Sequence, residues 1–168
     1  APAIARGADL IVESLSVGGK LLLCGNGGSA ANCQHLAAEF VNVLDRGRPR
    51  PPLAAIALTT DTSLLTAIAN DRGFEEVFER QVEALGRRGD VLLGITTGGK
   101  SPSVLRALRQ ARRQGLVTIT LTGAGGNEVA ALADVAVLVP SDNTKHIQEA
   151  HLAIGHLLCA LVEQRIAG

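Results

Sequence analysis

Two widely separated stretches carry side chains of the types and spacing that proton or metal chemistry needs. His35 and Glu39 are four residues apart. On a helix that spacing puts an imidazole and a carboxylate on one edge, where they can share a metal ion or a proton. Asn32 and Asn42 extend the edge into a polar stripe, a pattern that a merely solvated face would share. The opposite side carries Cys33, Leu36, Ala37, Phe40, Val41 and Leu44, with Ser29 as the expected N-cap. The second stretch, from about Thr144 to Ile166, is apolar almost all round and predicts a buried or interface helix. Gln148, His151 and His156 are embedded in it, and a buried polar group left unpaired costs about 1–3 kcal/mol. They need partners, and the stripe around His35 and Glu39 would provide them. Gln148 and His156 are eight residues apart, about 12 Å of helix rise. One metal ion would reach both only through extended side chains or from two subunits.

Elements must hold these groups, and five apolar runs rich in β-branched residues supply a frame: 20–24, 53–59, 91–96, 117–122 and 135–140. They read as strands buried on both faces. Stretches of helical period lie between them, such as Phe74, Val77, Phe78, Val82 and Leu85. The alternation implies a parallel sheet covered by helices, with ligands beyond the carboxyl ends of the strands. Three of those ends carry glycine: GNGGS from Gly25, TTGGKS from Thr96 and LTGAGGN from Leu121. Each opens toward a helix whose free N–H groups suit an anion. Singly each is an ordinary turn; three on one rim favour a small phosphorylated ligand.

Two nucleotide motifs match by letter. Gly25 to Ala30 satisfies G-x-G-x-x-A, but no acidic residue closes the second strand where a ribose would need one, Asp61 being too far along. Gly94 to Ser101 satisfies G-x-x-x-x-G-K-[ST]. Gly94, however, is expected inside the third strand, no strand ends directly in a magnesium-binding Asp, and Lys100 reads as a loop residue. The segment DRGRPRPP, Asp45 to Pro52, reads as a lid or as a connection that cannot be helical. Arg106, Arg109 and Arg113 form a stripe typical of a solvated helix face.

Composition narrows the function classes. The 168 residues suffice for one buried core and are too few for two, so 1–168 reads as a single domain. Sixteen acidic and sixteen basic residues cancel, and Phe40, Phe74 and Phe78 are the only aromatic residues. Neither a basic field nor stacking platforms are available, which argues against nucleic acid as a partner. Cys24, Cys33 and Cys159 form no C-x-x-C pair and read as buried thiols of a reducing cytoplasm. No apolar run nears the roughly 20 residues of a membrane span, and no signal-peptide pattern opens the chain. The sequence begins at Ala1 without methionine, a start that raises the expectation of processing or truncation.

Together GNGGSAANCQHLAAEF, TTGGKSPS and NTKHIQEAHLAIGH resemble the SIS-domain phosphoheptose isomerases, from about Lys20 to the C-terminus. The resemblance implies a flavodoxin-like, three-layer α/β/α sandwich with a five-stranded parallel sheet. It implies a cytoplasmic homotetramer with active sites between subunits, converting sedoheptulose 7-phosphate to D-glycero-D-manno-heptose 7-phosphate for lipopolysaccharide synthesis. By the same resemblance Glu39 and His156 form the acid/base pair, and His35, Glu39, Gln148 and His156 hold one zinc ion. Thr96, Thr97 and Ser101 take the phosphate, with Asn26, Gly27, Gly28 and Ser29 in the first loop, and Asp71, Thr144 and Gln148 contact substrate. Three departures stand out: Gly98 replaces a phosphate-contacting hydroxyl, Asn32 replaces an Asp, and the helix before the first strand is shortened. SIS proteins that serve as non-catalytic partners of the replication initiator share the glycine loop but lack the Glu and His, and they define the alternative of another class. Nucleotide binding through Gly94 to Ser101 is the second alternative.

Overall fold

The expected strands assemble into one all-parallel sheet in the order β2-β1-β3-β4-β5. They are β1 (Leu21–Gly25), β2 (Ala55–Ala57), β3 (Val91–Thr96), β4 (Val117–Thr122) and β5 (Val135–Leu138). The computed structural model describes residues 2–167. β1 and β3 are buried along their whole length, as β-branched and leucine-rich central strands must be when helices cover both faces.

The helices divide between the two faces. On one lie α1 (Pro2–Ser16), α2 (Gly28–Val41) and α7 (Thr144–Ala167), packed through Ile11, Leu36, Phe40, Leu158 and Val162 onto Leu21, Leu23, Leu93, Ile95 and Ile119. On the other lie α3 (Thr62–Arg72), a single 3₁₀ turn (Phe74–Glu76), α4 (Glu79–Leu85), α5 (Pro102–Gln114) and α6 (Asn127–Ala130). Val77, Phe78, Val82, Val104 and Leu108 pack there onto Leu22, Cys24 and Leu92. Alternate residues of each strand thus face opposite cores, and the architecture is the three-layer sandwich expected.

Boundaries moved where local chemistry intervened. β2 is shorter than 53–59 because it is an edge strand and its approach is spent elsewhere: the Leu53 N–H already donates to the Phe40 carbonyl. β5 ends before Pro140, which has no N–H to give the ladder. Ser29 is not the cap of α2: the helix begins at Gly28, and Gly27 takes the cap position at φ 56°, ψ −122°, a conformation suited to glycine. Val41, expected in the core, is exposed as the last residue of α2. The segment before β1 still forms a 15-residue helix, with Ala8 and Ile11 fully buried.

All three cysteines are free and buried. Burial pushes the Cys24 and Cys159 thiols up to about 12 and raises Cys33 well above its ordinary value. Native protein at pH 8 is therefore expected to resist iodoacetamide at all three positions and to react fully in denaturant, which mass spectrometry of the alkylated chain measures.

Candidate active site

The strand order reverses between β1 and β3, which are hydrogen-bonded neighbours with Gly25 opposite Ile95. In sheets of this kind the crevice opens at such a reversal, beyond the strand ends. GNGGS leaves β1 there and TTGGKS leaves β3. Asn26 joins the two loops, its Nδ2 donating to Ser101 Oγ at 2.9 Å and to Ser103 Oγ at 3.0 Å. The same residues, with Phe74, Glu75 and Pro102, line a cleft of about 310 Å³. Ser101 is also the N-cap of α5, whose first turn contains Pro102, so free N–H groups face this cleft. Ser103 was not anticipated from sequence. It is buried, and its hydroxyl orients Asn26; its place in the first helical turn after a glycine-serine loop was the available signal.

The third glycine loop supports the second. The Gly123 N–H donates to the Thr97 carbonyl at 3.0 Å. Gly99 has φ 68°, and a Cβ there would fall 2.2 Å from Gly126 Cα. Thr96 ends β3 opposite Thr122, and Thr97 follows at the mouth of the crevice.

The acid/base candidates lie on a seam between α2 and α7, which run in the same direction side by side. Asn32 Nδ2 donates to the Gln148 carbonyl at 3.3 Å, and the Gln148 side chain covers Gly28. Further along, Gly155 sits against Leu36, where a Cβ would come within 2.5 Å of the leucine. That close approach brings His35 Nε2 and His156 Nε2 to 2.8 Å, one ring donating and the other accepting. Glu39 Oε1 lies 3.6 Å from the same His35 nitrogen. Of the two couples expected to meet, His156 reaches His35, which in turn lies beside Glu39, whereas the Gln148 side chain stays at Gly28 about two turns earlier on α7.

The four expected zinc ligands do not all converge within one chain. Gln148 stays with Gly28, and no three of the described His, Cys, Asp and Glu side chains are already arranged around a common point for a metal. The other three fit zinc by donor type.

Asp71 lies elsewhere, in a second cavity of about 300 Å³ between α3 and α4, lined by Leu64, Ile68, Arg80 and Leu85. Thr144 is the exposed first residue of α7. His151 differs from its neighbours on α7: it is 0% exposed, and neither ring nitrogen has a hydrogen-bond partner among the described residues. The opposing polar stripe thus partners Gln148 and His156 but not His151, which faces the sheet. Burial lowers its pKa below the ordinary 6.5, with a smaller opposing contribution from the Thr122 backbone. A folded-state pKa below the unfolded one gives stability that is complete above about pH 6.5 and lost as pH falls toward the depressed value. Melting at pH 7.5 and 5.5 should show a drop in Tm that is smaller in His151→Leu.

The nucleotide readings lose their geometry. Gly94 lies inside β3, opposite Cys24 and Thr120, so the eight-residue phosphate loop does not form. Asp61 caps α3 by accepting from the Leu64 N–H at 2.9 Å. The arginine stripe is engaged in ion pairs: Arg106 with Glu76 and Glu79, Arg113 with Glu79, and Arg109 with Glu128.

Residues 1–123 match the family model described as SIS domain. The chain is 55% identical over 160 residues to a phosphoheptose isomerase of Nitratidesulfovibrio vulgaris, covering 95% of this chain and 76% of that protein. It is 54% identical over 166 residues to one from a Roseiflexus species, covering 99% and 83%. Among solved structures, a phosphoheptose isomerase from Neisseria gonorrhoeae superposes with a TM-score of 0.91 at 45% identity, covering 98% of this chain and 86% of that one.

Proposed function

From the premise that this chain belongs to the phosphoheptose isomerases of the SIS-domain family, we propose that it converts sedoheptulose 7-phosphate to D-glycero-D-manno-heptose 7-phosphate through an enediol. It is a phosphosugar isomerase of the aldose-ketose kind. The observation that carries the reading is the α2/α7 seam, which starts at the glycine loop and sets His156 against His35 and Glu39 farther along. A seven-carbon substrate phosphorylated at one end and reacting at the other needs its anchor and its proton-transfer groups apart in this way.

Moving a carbonyl from C2 to C1 requires a base for the carbon-bound proton, a second group for the hydroxyl protons, and a fixed substrate. The phosphate sits at the α5 N-terminus, against Thr97, Ser101 and the Asn26 loop. Glu39 takes the proton from C1 and returns it to C2, and His156 carries a proton between O1 and O2. His35 supports both by contacting each. Presence of both Glu39 and His156 is also what separates this chain from a non-catalytic initiator partner.

A zinc ion held by His35, Glu39, His156 and Gln148 is part of the proposal, supported by the donor types on the seam. When bound it supplies a Lewis acid that polarises the carbonyl oxygen. A carboxylate committed to a metal is a weaker base, so Glu39 serves one role at the expense of the other. We also assign a homotetramer, supported by α3, which buries only Ile68 although it carries Leu64, Leu65 and Ala67, and by the separation of Asp71 and Gln148 from the rest of the site. Light scattering should give about four times 17.3 kDa. No helix among the described residues is long and apolar enough to cross a membrane; a cytoplasmic place and a role in lipopolysaccharide heptose supply complete the proposal.

The test is incubation with sedoheptulose 7-phosphate in D2O, with and without chelator. Aldose formation with deuterium at C2 is expected, falling on chelation and returning with zinc. Neither product nor exchange in metal-loaded protein would sink the enzyme reading; full activity after chelation would remove zinc from it.

A further inference from the structure

The loop from Asp45 to Pro52 plays no part in the chemistry above, yet it delivers a buried cation to the seam. The side chain of Arg50 is 1% exposed and that of Glu163, on α7, 3%. Arg50 Nε donates to Glu163 Oε1 at 2.8 Å, and Nη2 lies 2.7 Å from the same oxygen. Two further bonds turn to α2, Nη2 donating to the Glu39 carbonyl and Nη1 to the Phe40 carbonyl, each at 2.8 Å, while Nη1 also donates to the neighbouring Pro51 carbonyl at 3.1 Å. Those carbonyls belong to the last turn of α2, where acceptors have no helical partner. Glu163 in turn accepts from the Leu44 and Asp45 N–H groups at 2.9 and 3.3 Å. Glu163 is seven residues beyond His156, on the same face of α7 two turns along.

We infer that Arg50 and Glu163 are positioning residues for the isomerisation, a clamp between the backbone of Glu39 and the helix of His156. This rests on the assignment of those two as the acid/base pair. A buried ion pair is a poor means of gaining stability, since apolar residues of equal volume do as well or better. A planar guanidinium does what apolar residues cannot: it fixes two carbonyls and a carboxylate in one plane and so sets how α2 and α7 meet. Chemistry between positioned groups is sensitive to this, a displacement of about 1 Å costing about 10²-fold in rate.

Arg50→Lys, Arg50→Ala and Glu163→Gln should be assayed beside the parent protein in its native assembly, with kcat expressed per folded chain from circular dichroism melts. Arg50→Lys keeps the charge and loses the fork. Its kcat should fall about 10²-fold with KM little changed, because the phosphate cleft is not touched. Guanidinium at millimolar concentration should restore part of the Arg50→Ala rate, as a merely structural loss would not permit. Full kcat per folded chain in Arg50→Lys overturns the inference, and so does failure of that variant to fold, which would assign the pair to stability alone. Should Arg50→Ala and Glu163→Gln not fold, Arg50→Lys decides by itself. Glu39→Gln run alongside separates the two readings: normal turnover there sinks the acid/base assignment, whereas its loss with full turnover in Arg50→Lys sinks only the clamp.

Discussion

Glu39→Gln is expected to lower kcat by about 10²–10⁴-fold, the usual range for loss of a general base, while leaving Tm and KM close to the parent values. The amide keeps the length and shape of the side chain, which lies 3.6 Å from His35, and removes its charge, and with it both its capacity to accept a proton and its strength as a zinc donor. Exchange of the C1 proton into D2O should vanish with turnover. His156→Asn gives the complementary result: Glu39 still removes the carbon-bound proton, so exchange persists at a reduced rate while aldose formation falls further. Turnover close to the parent rate in either variant would take that residue out of the mechanism, and equal loss of exchange in both would mean that the roles are not divided as described.

Gly99→Ala should be damaging in a different way. A left-handed backbone costs a non-glycine residue about 1–2 kcal/mol, and here the added carbon would also fall 2.2 Å from Gly126 Cα. The two phosphate-side loops must then separate. We expect Tm to fall by roughly 5 °C or more and KM to rise several-fold, because Thr97 and Ser101 flank the displaced residue. Gly98 is the control: its φ is not positive, and a Cβ there meets nothing within 4 Å. Gly98→Ser should fold normally and lower KM by returning a hydroxyl to the loop. Calorimetry and initial-rate kinetics on the pair decide this, and equal behaviour of the two variants would refute the steric argument.

The layers and strand order follow from patterns that one chain carries openly. Buried parallel strands declare themselves as apolar runs, and a polar stripe on α2 facing a polar-studded apolar α7 points to a shared seam. Detail was lost where neighbours in space, not in sequence, set the outcome. Ser29 looked like a cap, but Gly27 can adopt the φ the turn requires. Gln148, His151 and His156 were all expected to find partners on the α2 stripe; only their rotation about α7 separates the two that meet α2 from His151, which is buried without such a partner. Ser103 was marked only by its place in the first turn of α5, and its role emerged from its bond to Asn26. Arg50 was hidden among loop arginines, because the carbonyls that fix it are those of Glu39 and Phe40, ten or so residues away.

In the proposed assignment the crest of the sheet grips the substrate tail while a separate pair of helix faces performs the proton traffic, and the two share little beyond the stretch from Gly25 to Gly28. Recognition and turnover can therefore be uncoupled by changing side chains on the helix faces alone. A chain altered only at positions 39 and 156 would be a stable receptor for sugar phosphates, reporting their concentration without consuming them.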